Sequence, residues 1–248
     1  MRPTTWSDAL RLAVTTFTVW PMRVGELDRR AAGRAMMLAP WVGALLGAVL
    51  GAVLCGLREV TAAPVAGAIT VGLGALLTRG LHLDGLADTV DALGSYRDRE
   101  RALQIMKSPE VGPFGVVALV LVLLVQALTL ASAPLLTVVA AFAAGRAAVT
   151  LACARGIPSA RPDGLGAFVA GTVPRPVAAV TALAVAVLAI WAVPGRLWQG
   201  PAAVVLSLLA VALLLRHLVR RLGGITGDAL GFAVETVVTL SLIGLTLR

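Results

Sequence analysis

Val111-Gly-Pro-Phe-Gly-Val-Val-Ala-Leu-Val-Leu-Val-Leu-Leu-Val-Gln-Ala-Leu-Thr-Leu-Ala131 carries no charged side chain. As a helix rising about 1.5 Å per residue it is long enough to cross the roughly 30 Å hydrocarbon core of a bilayer. Comparable apolar stretches lie near 35–57, 60–78, 133–154, 176–194, 199–215 and 225–247. Of the 248 residues 58% are hydrophobic and only 14% are charged. Together these features predict an all-α fold, a polytopic membrane bundle of about seven transmembrane helices. Short connections such as Ala131-Ser-Ala-Pro134 and Pro194-Gly-Arg196 make neighbouring helices antiparallel, and no linker is long enough to divide two domains. The chain therefore reads as an N-terminal amphipathic segment, 1–34, followed by one transmembrane domain, 35–248.

Basic residues orient the bundle. Arg2, Arg11, Arg23, Arg29, Arg30 and Arg34 precede the first span, which places the amino terminus in the cytoplasm. Alternating spans return the segment 79–110 to that side, with Arg79, Arg97, Arg99, Arg101 and Lys107, and likewise the 155–175 loop and a 216–221 turn. The opposite loops carry only Arg58, Arg196 and Arg248. The net charge of +8 is thus a matter of topology and contact with the lipid bilayer, and nucleic acid is excluded as a partner.

The first 34 residues lack the basic, apolar and cleavage order of a signal peptide. Instead Trp6, Leu10, Ala13, Phe17 and Trp20 share one helical face behind a cap at Ser7 or Asp8. Such a helix either lies in the membrane interface or packs on the bundle. Cys55 and Cys153 fall in apolar spans without metal-ligand spacing and read as small hydrophobes.

Chemistry is sought among the thirteen acidic residues. Asp8, Glu26, Asp28 and Glu59 lie outside the spans and read as solvated, and Asp98 and Glu100 alternate with arginines in an exposed run. Asp84, Asp88 and Asp91, in contrast, are spaced four and three apart within Gly80-Leu-His-Leu-Asp-Gly-Leu-Ala-Asp-Thr-Val-Asp91 and gather on one helix face. Three crowded carboxylates repel unless a cation joins them, and hard oxygen ligands suit Mg²⁺. Asp228 and Glu235, seven apart, share a face at the start of the last span. Glu235 is deep enough to require a polar interior. An ion pair with Arg146, in mid-span, would satisfy it; alternatively Arg146 grips substrate phosphate with its planar fork. His82 is two residues from Asp84 and so points away from the aspartate face, which suits a supporting hydrogen bond or plain packing.

The segment Gly80–Asp91, followed by Arg99-Glu-Arg-Ala-Leu-Gln-Ile-Met-Lys107 and Gly112-Pro-Phe-Gly115, closely resembles the cobalamin synthase family, the membrane adenosylcobinamide-GDP ribazoletransferases. The resemblance continues through Gly145-Arg146, Ala160-Arg-Pro-Asp-Gly-Leu-Gly166, Gly223-Gly-Ile-Thr-Gly-Asp228 and Glu235. It departs at Ser108, where the family often has Asp.

The resemblance implies a transferase of the bacterial cytoplasmic membrane, with its site facing the cytoplasm. It joins adenosylcobinamide-GDP to α-ribazole or its 5′-phosphate, releases GMP and uses Mg²⁺. On that reading Asp84 and Asp88 hold the metal, with Asp228 and Glu235 completing a metal shell or orienting the acceptor. Asp91 serves as general base, Lys107, Arg146 and Arg161 contact phosphate, and His82 supports the site. Homo-oligomers or contacts with other corrinoid-pathway enzymes stay open. Two alternatives differ in class. A CDP-alcohol phosphatidyltransferase would use a similar Asp-Gly-x-x-Ala segment, although Arg does not follow that Ala here. An ion-coupled transporter would need internal repeats and midplane charges.

Overall fold

Every apolar stretch expected to span is helical in the computed structural model, which describes residues 5–24 and 28–247. Arg2, Glu26 and Arg248 lie outside the described residues. In chain order the helices are α1 (Trp6–Phe17), α2 (Arg29–Arg58), α3 (Ala63–Leu77), α4 (Leu81–Gly94), α5 (Arg99–Ile105) and α6 (Pro113–Leu130). They continue with α7 (Leu135–Ala152), α8 (Gly164–Val169), α9 (Arg175–Leu188, extended by a 3-10 turn to Trp191), α10 (Gln199–Leu222) and α11 (Gly227–Thr246). Among the described residues there is no strand, only two isolated bridges.

Five of these helices, α2, α6, α7, α10 and α11, are long and apolar enough to cross a membrane unaided. α3 and α4 make a sixth candidate if taken as one broken crossing, bent by 92°. α9 is apolar but shorter, so the seven expected stretches are all present with unequal reach. The 216–221 segment is no turn: α10 runs on to Leu222. Arg220 and Arg221 in its last turn suit the helix dipole, and Gly223, with φ of 80°, ends it.

α7 is the buried axis of the bundle. Gly43, Gly47 and Gly51 of α2 face it at four-residue spacing, and a Cβ added at Gly47 would come within 2.8 Å of the Val138 carbonyl oxygen. Small residues thus let two backbones meet where apolar burial from lipid gives little net drive. α6 is peripheral and turns Val116, Val117, Val120, Leu121, Leu124 and Leu128 outward, as a lipid-facing helix does. Both cysteines are free, Cys55 exposed and Cys153 buried.

α1 packs on the bundle through one face. Ala9, Ala13 and Phe17 are buried, packing the helix onto α2, while Trp6 and Leu10 remain exposed. Its cap is Thr5: the Thr5 hydroxyl accepts from the Asp8 N–H, and Asp8 accepts from the Thr5 N–H at 3.0 Å. Hydrogen bonds from the Thr5 hydroxyl and then its N–H hold the Asp8 carboxyl below its ordinary pKa. α2 begins at Arg29, capped by Asp28, so the boundary expected at 34 falls inside a helix.

The bend between α3 and α4 positions everything that follows. Arg79 and Gly80 both adopt left-handed backbone, with φ of 57° and 66°. That conformation is costly for arginine. It is braced by the Arg79 guanidinium donating to the Thr15 carbonyl at 2.9 Å and by the Val19 N–H donating to the Leu77 carbonyl at 2.7 Å. The end of α1 is thereby fastened to the start of the aspartate helix.

Candidate active site

α4 and α11 cross at glycines, and that crossing assembles the site. A Cβ at Gly85 would lie 2.6 Å from the Asp228 carbonyl oxygen, and one at Gly231 would lie 2.9 Å from that of His82. This close approach carries Asp228, in the first turn of α11, to the helix bearing Asp84 and Asp88. Thr226 caps α11 by accepting from the Ala229 N–H at 3.1 Å. The loop before α8 packs on this cap, with Ala160 N–H donating to the Ile225 carbonyl at 2.9 Å.

A cavity of about 310 Å³ opens there, lined at its polar side by Asp84, Lys107, Arg161, Asp163 and Asp228. Arg161 donates to the Leu103 carbonyl at 2.7 Å and pairs with Asp228 at 3.7 Å. Lys107 and Asp163 stand 3.4 Å apart at the exposed rim, a pair worth little to stability. Asp88, on a helix outside the long apolar spans, has its pKa pushed up to about 7, by burial first and then by Asp84, Asp228 and Asp91. Carboxylates from two distant segments therefore feel one another across the crossing.

Three expected site residues lie elsewhere. Asp91 is buried, and its two oxygens accept from the Gly112 N–H at 2.7 Å and the Gly115 N–H at 2.8 Å. It clamps the start of α6 and does not line the cavity, because α6 covers the aspartate face one turn beyond Asp88. The structure thus places Asp91, expected as a general base, at the α4–α6 contact, with one amide on each oxygen and outside the cavity lining. Glu235 and Arg146 line a separate, smaller cavity of about 20 Å³. Glu235 accepts from Gln126 Nε2 at 2.8 Å, and the Arg146 guanidinium sits 5.3 Å from the Phe142 ring centroid. Arg146 and Glu235 share that pocket without a direct salt bridge. Neither meets the main cavity, because two helical turns carry Glu235 away from Asp228 into the bundle. The structure thus places Glu235, expected at the metal, and Arg146, expected at phosphate, apart from Asp84 and Asp228.

The model for cobalamin-5-phosphate synthase matches residues 9–246. The chain belongs to that family. A protein of Frankia casuarinae named adenosylcobinamide-GDP ribazoletransferase is 42% identical over 256 residues, covering 94% of this chain and 92% of its own. Relatives of the same name are 42% identical in a Nocardioides species, covering 95% and 97%, and 43% identical in Pseudomonas putida, covering 88% and 89%. No solved structure gives a significant match.

For a cobalamin-5-phosphate synthase family member the donor set can be tested against Mg²⁺. Among the described residues no three His, Cys, Asp or Glu side chains are grouped to cage an ion by themselves. Mg²⁺ seldom needs such a cage: it keeps several waters and takes one or two carboxylates plus substrate phosphates. Asp84 and Asp88, one turn apart and crowded by Asp228, fit that partial shell.

This family site also draws on residues that sequence reasoning missed. Thr16 and Phe17 from α1, Met36 from α2 and Val149 from α7 line the cavity. The signal for Phe17 was its four-residue spacing from Ala9 and Ala13, a small-residue face that packs on protein and not lipid. His82 joins Asp84 in the cavity despite the two-residue spacing. α4 starts at Leu81, and the cavity sits over its first turn, where Leu81, His82 and Asp84 all reach it.

Proposed function

We propose that this chain joins adenosylcobinamide-GDP to α-ribazole, or to its 5′-phosphate, forming adenosylcobalamin or its phosphate and releasing GMP. The observation that carries the reading is the meeting of Asp84, Asp228 and Arg161 at one cavity, with Asp88 one turn along α4 from Asp84. The site faces the cytoplasm of a bacterial cytoplasmic membrane, a side supported by the arginines of 79–110 and 155–175.

In this reaction a ribose hydroxyl oxygen of the acceptor attacks the phosphorus that bears the cobinamide. A phosphorus–oxygen bond forms there, the bond to the bridging oxygen breaks, and GMP leaves with that oxygen. Arg161 and Lys107 offset the charge of the diphosphate, Arg161 by its fork and Lys107 as a mobile rim charge. Asp228, lining the cavity and held by Arg161, orients the attacking hydroxyl and takes its proton. Asp84 and Asp88 would hold Mg²⁺, which when bound would supply charge to offset the phosphate oxygens and the departing GMP. Asp91 contributes by fixing α6 against α4, and so the aspartate helix against its neighbours.

The test is purified protein in lipid nanodiscs with adenosylcobinamide-GDP, α-ribazole and Mg²⁺. GMP release that needs all three is expected. Solute flux in vesicles without GMP release would instead favour a transporter, and release of CMP from a CDP-alcohol would favour a phosphatidyltransferase.

A further inference from the structure

The main cavity has two chemically different ends. Its rim is charged and exposed, with Lys107 and Asp163, whereas its floor is formed by Phe17, Met36, Val149 and Leu230, none more than 4% exposed. One polar side chain, His82, is set into this apolar floor. It is 3% exposed, its ring is stacked on Phe17 at 6.0 Å with an interplanar angle of 11°, and neither ring nitrogen has a hydrogen-bond partner. Thr226 caps α11 and Ser159 donates to the Arg161 carbonyl at 2.7 Å, while at the charged side the Arg161 Nε also lacks a partner. A buried imidazole left unpaired is unfavourable and calls for a partner outside the protein.

We propose that the His82–Phe17 floor receives the flat nitrogen heterocycle of the acceptor nucleoside, and that His82 donates a hydrogen bond to its unsubstituted ring nitrogen. This assignment rests on the function proposed above.

Hydrogen-bond inventory chooses among the substrate parts. The diphosphate belongs at the charged rim, and the corrinoid is far too large for 310 Å³. Guanine carries donors and acceptors around most of its edge, and an apolar floor with one imidazole would leave most of them unpaired. A benzimidazole bound to ribose is apolar except for one bare ring nitrogen. Neutral imidazole has one N–H donor to meet it. The aromatic pair adds an offset surface for a planar ring. Seating the base at the floor directs the attached ribose toward the rim, where Asp84, Asp228 and Arg161 stand.

The test compares wild type, His82→Leu and His82→Gln in nanodiscs, with α-ribazole and with its analogue in which CH replaces the bare ring nitrogen. Wild type should prefer α-ribazole over the analogue by about tenfold or more in kcat/KM, the worth of one buried hydrogen bond. His82→Leu should raise the KM for α-ribazole by about the same factor, abolish the preference, and leave kcat and the donor KM within about twofold. His82→Gln, which keeps an N–H donor, should recover part of the preference. Since His82 has no partner in the protein, His82→Leu should also melt no lower than wild type, whereas a packing histidine would not tie melting and acceptor choice apart in this way. Unchanged acceptor KM and preference in His82→Leu, or a rise in donor KM instead, would overturn the assignment. So would a wild type indifferent to the missing nitrogen, whether or not the variants fold. If wild type releases no GMP with any acceptor, the functional reading itself fails and this assignment goes with it.

Discussion

α11 carries two carboxylates in very different settings. Asp228, in its first turn, opens on a 310 Å³ cavity beside Asp84 and Arg161. Glu235, two turns deeper, shares about 20 Å³ with Arg146, and Gln126 bonds both Glu235 at 2.8 Å and Thr239 at 3.0 Å. The first group is reachable, with Asp228 paired to Arg161; the second is closed, with Gln126 of α6 tying Glu235 and Thr239 of α11 beside the Arg146 guanidinium, whose Nε has no partner. A buried charge by itself therefore does not mark a site. Access does, whereas the closed group holds helices in register.

The comparison breaks if substitutions in the two groups act alike. The largest effect is expected at the open group: Asp84→Asn, Asp88→Asn and Asp228→Asn should each slow GMP release by about a hundred- to a thousandfold, with little change in melting temperature. At the closed group Arg146→Met should lower stability by about 3 kcal/mol while activity per folded molecule persists, because Glu235 is left without its compensating charge. Adding Glu235→Gln should recover part of that loss, as denaturation of the purified double variant would show. Asp91→Asn sharpens the division, since it keeps the shape but weakens the clamp on α6. A stability loss of about 1–2 kcal/mol is expected, with activity restored on cooling. Lys107→Ala should act least, changing stability by less than about 0.5 kcal/mol and raising the donor KM a fewfold in a salt-sensitive manner.

The bundle was legible because apolar length is written directly into sequences such as Pro113–Leu130. The meeting of Asp84 and Asp88 with Asp228 was foreshadowed by glycines beside each, Gly85 and Gly231, which permit the crossing. What misled was periodicity without neighbours. Asp91 shares the helix face of Asp84 and Asp88, but nothing in its spacing tells that the Gly112 and Gly115 amides occupy it. Glu235 shares the face of Asp228, yet depth along the helix assigns it to another cavity. Phe17 was legible only as part of a helical face that could meet lipid or protein, while its place beside His82 depends on a tertiary tie from Arg79 to Thr15.

The central claim is that the α4 aspartates and Asp228 act as one site from which Glu235 is separate. Its most direct test is a double-substitution cycle on GMP release, pairing Asp88→Asn with Asp228→Asn and, as reference, with Glu235→Gln. Shared work predicts a Asp88/Asp228 double variant within about threefold of the slower single variant, and near-multiplicative effects for Asp88 with Glu235. Multiplicative losses for Asp88 with Asp228, or strong coupling of Asp88 to Glu235, would contradict it.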